Sequence, residues 1–275
     1  MIPGLSLFFM VVSAIISFGL PVVLILVWRK KYALKPIPVA VGAAAFVISV
    51  LILQRIMHIV VFRPNADGEI YLLNNPALYV LYGIFAAGIF EETARYISFR
   101  LIRKKYSELG TGIAYGIGHG GIEAILLVGM LMINNIVFSL LINTGNPELL
   151  GNDPNTLFAL RELENTKPVM FIVSGLERII AISVHISLSM LVWCSVKVKG
   201  KLWLYPAAIV LHAIVNIAPA MYQIGLLENV WLVEGLVALP AVLIAAAAYF
   251  VCKIIKREDD KNIEAVTEAA GEIEV

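Results

Sequence analysis

Acidic, imidazole and amide side chains lie within long apolar stretches of this sequence, and together such groups can carry out proton chemistry on a polar bond. Glutamate can act as a general base on water, and histidine can hold the same water or pass on its proton. Histidine and asparagine can also donate hydrogen bonds to the oxyanion that forms in acyl transfer. The candidate catalytic residues are Glu91, Glu92, His119, His212 and Asn216, and the candidate supporting residues are Arg95, Glu123 and His185.

The spacing of these residues places them in pairs on helix faces. Glu91 lies four residues before Arg95 and Glu92 lies three before it, so either carboxylate can pair with the guanidinium group. Glu91 and Glu92 point about 100° apart on a helix, so one can face a substrate while the other braces the site. The four-residue spacing recurs between His119 and Glu123 and between His212 and Asn216.

The composition defines the solvent in which these residues must work. The chain of 275 residues is 60% hydrophobic and 15% charged, whereas about 25% of the residues in a soluble domain are charged. A soluble fold of this size could not bury so much apolar surface, so a lipid bilayer must solvate most of it. Two cysteines are too few for a disulfide framework, and a net charge of +1 does not attract nucleic acid. The composition therefore excludes a soluble enzyme, a nucleic-acid-binding protein and a disulfide scaffold.

Seven apolar runs are long enough to cross a bilayer, which takes about 20 helical residues. They predict an all-α, polytopic transmembrane bundle, with one membrane domain over residues 1–257 and an acidic, disordered tail over 258–275. The fourth run is too long for one straight span, so we expect it to tilt or to bend near Gly129. A short surface helix is predicted at 155–164. The runs cover residues 4–28, 36–62, 77–99, 111–142, 169–196, 202–225 and 230–252.

Basic residues predict the orientation of the bundle, because loops on the cytoplasmic side carry an excess of Lys and Arg. Fifteen of the 21 Lys and Arg residues lie at one end of the bundle, which we term the basic end, and three lie at the opposite end. The pattern predicts an external N-terminus and a cytoplasmic C-terminus. The basic end comprises residues 29–35, 100–105, 197–201 and 253–261.

Four candidate residues fall at a similar depth in four different spans. At a rise of about 1.5 Å per residue, Glu91, His119, His185 and His212 lie about 12–16 Å from the basic ends of their helices. Random placement would scatter them, and charged groups in spans normally face the bundle interior or a wet cavity. We therefore expect spans three, four and six to bring acidic, imidazole and amide groups together in one hydrated chamber, buried towards the cytoplasm.

Three glycines form a ridge on the fourth span at Gly112, Gly116 and Gly120. Ridges of small residues let two transmembrane helices approach closely. We expect this ridge to hold His119, on its flank, near a neighbouring span.

Three motifs in order resemble those of a known superfamily. Glu-Glu-x-x-Arg occupies 91–95, Tyr115 precedes His119 by four positions, and His-x-x-x-Asn occupies 212–216. This order resembles the CPBP/Abi superfamily of intramembrane proteases, whose eukaryotic members process prenylated CAAX proteins. The stretch GIGHGGIEA at 116–124 resembles the bacterial YhfC-type branch, close to the PrsW-like proteases. The resemblance covers about 77–225 and implies a bacterial plasma-membrane protein.

The resemblance implies a glutamate-dependent peptidase and a role for each matching residue. Glu91 matches the glutamate that activates water, and Glu92 matches its companion. His119 matches the histidine that orients the water. His212 and Asn216 match the pair that stabilises the oxyanion.

This chain departs from the superfamily pattern in ways that keep alternatives open. The superfamily motif has three residues between the second Glu and the Arg, and here there are two. Glu123 and His185 are additions, and Glu123 shares a face with His119, so it competes with Glu91 for the role of base. The additions also allow a zinc site made of His119, His185, His212 and one glutamate. A metal-ligating histidine normally has a partner of its own, which a sequence cannot show, so the sequence favours catalysis without a cofactor.

The sequence thus predicts an intramembrane endopeptidase that acts on a membrane-anchored protein or peptide. Two alternatives use the same polar residues: a proton-coupled transporter, and a non-catalytic membrane protein that binds a lipid or a peptide. A transporter usually shows an inverted repeat, and no repeat is evident in this sequence. Geometry separates the hypotheses, because a protease predicts one water-sized site open to the cytoplasm and a transporter predicts a cavity that continues towards the outer face.

Overall fold

The computed structural model describes residues 1–65, 67–151 and 153–273, and within these ranges its regular structure is entirely helical. Seven helices in this part of the chain are long and apolar enough to cross a membrane, which confirms the all-α polytopic fold. In chain order the helices are α1 (Gly4–Lys31), α2 (Pro36–Val61), α3 (Pro76–Ile102), α4 (Leu109–Asn143), α5 (Pro154–Asn165), α6 (Pro168–Lys197), α7 (Leu204–Gln223) and α8 (Val230–Ile273). All except α5 are the spanning helices, and a short 3₁₀ turn at Pro147–Leu150 precedes α5.

Local signals in the sequence start several of these helices. Proline opens α2, α3, α5 and α6, because its missing N–H would be unpaired in a first turn anyway. Asn75 caps α3 by accepting a hydrogen bond from the backbone N–H of Leu78. Asp153 caps α5, the predicted surface helix, by accepting from the N–H groups of Asn155 and Thr156. The hydroxyl of Thr156 also donates to Asp153 and holds the pKa of that carboxyl below its usual value.

Two spanning helices contain a stretch of π-helix, in which the backbone is wound more widely than in an α-helix. The stretch in α2 is Val47–Gln54 and the stretch in α4 is Ala124–Gly129. The π-helix in α4 begins directly after Glu123 and ends at Gly129, so the irregularity expected in this long helix is a widened turn. Such turns are frequent at functional sites.

Helix α6 is the central helix of the bundle. In the most apolar 18-residue stretch of α6, 72% of the residues are buried inside the protein, whereas the corresponding share is 22–39% in the other spanning helices. It packs against α1, α3, α4, α7 and α8. Polar side chains on α6 therefore have to find their partners on these neighbours rather than in water.

The glycine ridge of α4 packs directly on α6, as the sequence predicts. A Cβ atom at Gly116 would lie 2.5 Å from the Cα of Ile186, and one at Gly120 would lie 3.1 Å from the Cβ of His185. On the other side of α4, Gly118 lies against the backbone of α2. The first half of α4 is thus held between α2 and α6 at near-backbone distance.

Contacts at each end of the bundle join segments that the sequence places at that same end. Ile2 and Asn143 exchange hydrogen bonds of 2.8 and 2.9 Å, which join the start of α1 to the end of α4. At the basic end, Lys197 contacts the carbonyl of Ser107 and the carboxylate of Asp259. The orientation of these ends across a membrane stays a prediction.

The last helix differs from the expectation for the acidic segment. Helix α8 continues to Ile273, whereas the sequence predicts disorder from residue 258. Glu and Ala, which are common in this segment, are strong helix formers and favour this continuation. The division into a membrane domain over 1–257 and a tail over 258–275 stays a prediction.

Replacing Gly116 by Ala should loosen the contact between α4 and α6. The new Cβ would lie 2.5 Å from a backbone atom of Ile186, which cannot move aside unless α6 shifts. We expect a loss of about 1–3 kcal/mol in the free energy of unfolding, measured by denaturant unfolding in detergent micelles. The control is Gly83→Ala on α3, where nothing lies within 4 Å of the new Cβ. Equal stability of the two variants would contradict the close approach of the helices.

Candidate active site and metal centre

Four helices bring the predicted polar residues together in the interior of the bundle. Helix α3 supplies two carboxylates and a guanidinium group, and α4, α6 and α7 each supply one imidazole. The relative exposure of these residues is between 0% and 6%. The acidic and imidazole groups expected to meet from spans three, four and six lie close together, with α6 as a further wall. The residues are Glu91, Glu92, Arg95, His119, His185 and His212.

Glu91 is the central carboxylate of the site. Its Oε2 lies 2.9 Å from the Nε2 of His119 and 3.9 Å from the Nδ1 of His185. Its Oε1 lies 4.0 Å from the Nε2 of His212. Three imidazoles from three different helices therefore face one carboxylate.

Glu92 is fully engaged with other site residues. Nη1 of Arg95 donates to both carboxylate oxygens of Glu92 at 2.9 Å, and Nδ1 of His212 lies 2.8 Å from Oε1. Nη2 of Arg95 lies 3.1 Å from the Nδ1 of His185. Of the two pairings that the spacing allowed, Arg95 takes Glu92 and leaves Glu91 to the histidines. Glu92 is therefore placed to hold Arg95 and His212 in position.

Glu123 pairs with two residues of α6. Its Oε2 lies 2.6 Å from the Nε2 of His185, and its Oε1 accepts a hydrogen bond from Arg178 at 2.8 Å. Arg178 also donates to Glu177 at 2.8 Å. With both oxygens engaged, Glu123 is placed to orient His185 rather than to compete for water beside Glu91.

Two residues that contact the site are not among the candidate site residues that the sequence predicts. Arg178 enters the network through Glu123, and its seven-residue spacing from His185 on α6 is the sequence signal that points to it. Phe46 packs edge-on against the ring of His119, with centroids 5.3 Å apart. Phe46 is one apolar residue among many in the second span, so no sequence signal distinguishes it.

Asn216 lies one turn beyond His212 on α7 and lines a cavity of about 150 Å³ that reaches the site. The cavity is bounded by α6, α7 and α8, and Glu91 and Glu123 also line it. It runs from the site towards the end opposite the basic loops. The structure differs here from our expectation of a site open at the basic end, because buried aromatic side chains fill that side.

The centre of the site has the donor set of a metal site. Glu91, His119 and His185 each offer one ligand atom, and these atoms lie within 4.8 Å of one another. Two imidazoles and one carboxylate form a common protein donor set for catalytic zinc. The three residues come from α3, α4 and α6, so the ridge contact between α4 and α6 is what brings them together.

The surroundings of the donor set also fit a metal ion. Metal-ligating histidines usually have a carboxylate on the other ring nitrogen, and His185 has Glu123 on Nε2, while its Nδ1 faces Glu91 and also lies 3.1 Å from Nη2 of Arg95. Nδ1 of His119 is instead buried without a hydrogen-bond partner among the described residues. Four carboxylates and two guanidinium groups meet in this network. With neutral imidazoles, two negative charges remain uncompensated, and a divalent cation would balance them.

The comparison with known families agrees with this geometry. A family model described as YhfC intramembrane metalloprotease matches residues 16–237, which include all the site residues. This chain belongs to the YhfC intramembrane metalloprotease family. The uncharacterized membrane protein YhfC of Bacillus subtilis (strain 168) is 36% identical to it over 249 residues, which are 89% of this chain and 95% of that protein. No solved structure matches the chain.

Membership of the YhfC family bears on several of the sequence predictions. It confirms the YhfC part of the resemblance and, with the seven spanning helices, an integral membrane protein. The wider placement with the CPBP/Abi and PrsW-like proteases stays a prediction. The description of YhfC proteins as metalloproteases agrees with the Glu-His-His donor set and weighs against the expectation of catalysis without a cofactor.

The purified protein should bind zinc at about one ion per chain. His119→Ala and His185→Ala each remove a ligand from the set of three and should abolish this binding, as measured by mass spectrometry of the metal content after dialysis. Asn216→Ala changes the cavity wall without removing one of these three ligands and is the control. Full zinc content in either histidine variant would contradict this assignment.

Glu123→Gln should weaken zinc binding while leaving the three ligands in place. Removing the carboxylate beside a ligating histidine costs about 10–100-fold in metal affinity, which competition with a chromogenic chelator can measure. Glu177→Gln is a matched control, because Glu177 contacts Arg178 but makes no contact with His185. Equal weakening in both variants would show that the charge of the network matters and the contact with His185 does not.

Proposed function

We propose that this protein is a metal-dependent intramembrane endopeptidase that hydrolyses a peptide bond of a membrane-anchored protein or peptide. The observation that carries the proposal is the Glu-His-His donor set buried inside a bundle of spanning helices. The carboxylate partner on His185 and the description of the YhfC family support it.

In this proposal Glu91, His119 and His185 hold a divalent ion. A divalent ion held there would supply positive charge, which would polarise a peptide carbonyl and make water easier to deprotonate. Glu123 fixes the ring of His185 through Nε2, and Phe46 limits the rotation of His119. Both contacts preorganise the ligands before a substrate arrives.

His212 is the residue placed to move protons. Its Nδ1 pairs with Glu92 at 2.8 Å, and its Nε2 faces Glu91 at 4.0 Å. If Nδ1–H donates to the Glu92 carboxylate, Nε2 is an acceptor. An imidazole oriented in this way can take a proton from water and return it to the leaving amine. Asn216, in the wall of the same cavity, can donate a hydrogen bond to the oxyanion.

These assignments change three roles that the resemblance implied, and His119 becomes a ligand rather than the residue that orients the water. Glu91 becomes a ligand rather than the base, and His212 becomes the base rather than an oxyanion donor. The mechanism expected from the sequence keeps Glu91 as the base, with His119 orienting the water, and needs no metal. Sensitivity of peptide cleavage to chelation separates the two mechanisms.

One observation favours a second function, proton-coupled transport. The cavity continues from the site towards the end opposite the basic loops, and transporters place acidic and imidazole groups at this depth. Reconstituted in liposomes, a transporter would carry protons without cleaving a peptide. A protein that only binds a peptide or a lipid in the cavity would do neither.

Cleavage in liposomes tests the proposed function. With a panel of single-span peptides that carry a fluorophore and a quencher, we expect the zinc-loaded wild type to cleave and chelation to stop it until zinc is restored. Glu91→Gln should be inactive, because it removes a ligand. His212→Ala should lose about 10²–10⁴-fold in kcat, as expected for a general base. Ser183→Ala, on the exposed face of α6, is the control.

Each outcome of this assay has a distinct meaning. Cleavage that resists chelation but is lost in Glu91→Gln would replace the metal mechanism with the glutamate mechanism. Cleavage that survives Glu91→Gln would reject both. Unchanged turnover in His212→Ala would remove His212 from the proton transfer.

A further inference from the structure

The cavity extends from the site along the long axis of the bundle. On α7 it extends from His212 to Pro219, and on α6 it extends from His185 back to Glu177. These separations correspond to about 10–12 Å of helix rise. Val237, near the start of α8, completes the wall. All three helices carry the cavity towards the end of the bundle opposite the basic loops.

The other side of the site is closed by aromatic side chains. Phe99, Tyr115 and Trp193 each have 0% relative exposure, and the ring of Phe99 lies 4.6 Å from that of Tyr115 and 5.2 Å from that of Trp193. Phe99 follows Arg95 by one helical turn, and Tyr115 precedes His119 by one turn, both in the direction of the basic end. These packed rings separate the site from the basic loops, although the hydroxyl of Tyr115 and Nε1 of Trp193 are buried among them without a hydrogen-bond partner in the described residues.

The wall of the cavity is polar enough to hold water. Arg178 is 7% exposed, lies in the wall and donates to Glu123 and Glu177. Its Nε is buried without a hydrogen-bond partner among the described residues. A guanidinium N–H in this position is normally satisfied by water. The ion pairs therefore give the cavity polar walls as well as fixing His185.

We infer that water and the substrate reach the site through this cavity, from the end opposite the basic loops. Because basic loops lie on the cytoplasmic side, the scissile bond would be presented from the external face. The substrate class is a membrane-anchored peptide whose cleavage point lies at that face. The part of the inference that concerns the peptide rests on the proposed function, whereas the water route stands without it.

Cysteine accessibility tests the water route without any need for activity. A background variant replaces both native cysteines, Cys194→Ala and Cys252→Ala. Ala181→Cys and Ile180→Cys then report on the cavity wall, and Ser189→Cys reports on the closed side two turns from Ala181. Ser183→Cys, on the exposed face of the same helix, is the control for lipid exposure. Monodisperse elution of each variant in size-exclusion chromatography in detergent shows that it is folded.

Membrane-impermeant maleimide is applied to right-side-out and to inverted vesicles. Asn74→Cys and Lys104→Cys, exposed beyond the two ends of α3, report which surface is reached. We expect Ala181→Cys to react at least about ten times faster from the side that labels Asn74→Cys, since only a hydrated thiol forms the reactive thiolate. Ser183→Cys and Ser189→Cys should stay unlabelled from both sides.

Three results would overturn the inference. The first is faster labelling of both cavity reporters, Ala181→Cys and Ile180→Cys, from the side that labels Lys104→Cys. The second is equal labelling of these reporters from both sides. The third is no labelling of either reporter while Asn74→Cys reacts. A bulky maleimide on Ala181→Cys should also stop cleavage of the panel peptides, whereas the same label on Lys104→Cys should not. Labelling with no cleavage in any variant would keep the water route and reject the proposed function.

Discussion

The cost of burying charge in lipid is the constraint on which the rest of this structure depends. Four carboxylates and two guanidinium groups lie inside a bundle whose outer surface is apolar. Removing one partner from a buried pair costs several kcal/mol, about 3–5 by measurements on other proteins, so each group has to be paired. Every carboxylate of this network does contact a guanidinium or an imidazole group. The helices must therefore hold these partners at hydrogen-bond distance.

Close backbone contact is how the helices meet this demand. The glycine ridge brings α4 so near to α6 that the rings of His119 and His185 lie 4.8 Å apart between centroids. Longer side chains on the ridge would separate the two histidines by the width of those side chains. Helix α6 can then offer its polar residues to α3 and α4, and α3 supplies Glu91 and Glu92. The site is thus a consequence of which residues are small as much as of which are charged.

The sequence predicted which residues form the site better than it predicted which of these residues pair with each other. Length and hydropathy defined the seven spans, and equal depth in different spans identified Glu91, His119, His185 and His212 as neighbours. Helical spacing did not decide whether Arg95 pairs with Glu91 or Glu92, because that depends on how α3 is rotated relative to α6 and α7. The contact between Glu123 and His185 and the direction of the cavity depend on the same rotations. A residue pattern within one helix does not define how that helix is rotated relative to its neighbours.

Those connections also change the chemistry that the residues support. A lone glutamate among three histidines can serve as a base, and the sequence favoured that role for Glu91. In the structure His185 and His212 each have a carboxylate on one ring nitrogen and turn the other towards Glu91. A carboxylate behind a ligating histidine fixes the ligand atom; of the proposed ligands His185 has one, whereas Nδ1 of His119 has no partner among the described residues. The uncompensated negative charge of the network also favours a bound cation, because a buried charge without a partner is costly. Glu91 has only imidazole partners, and Arg178 is shared between Glu123 and Glu177, so the unbalanced negative charge lies on both sides of His185, where a divalent ion would be held.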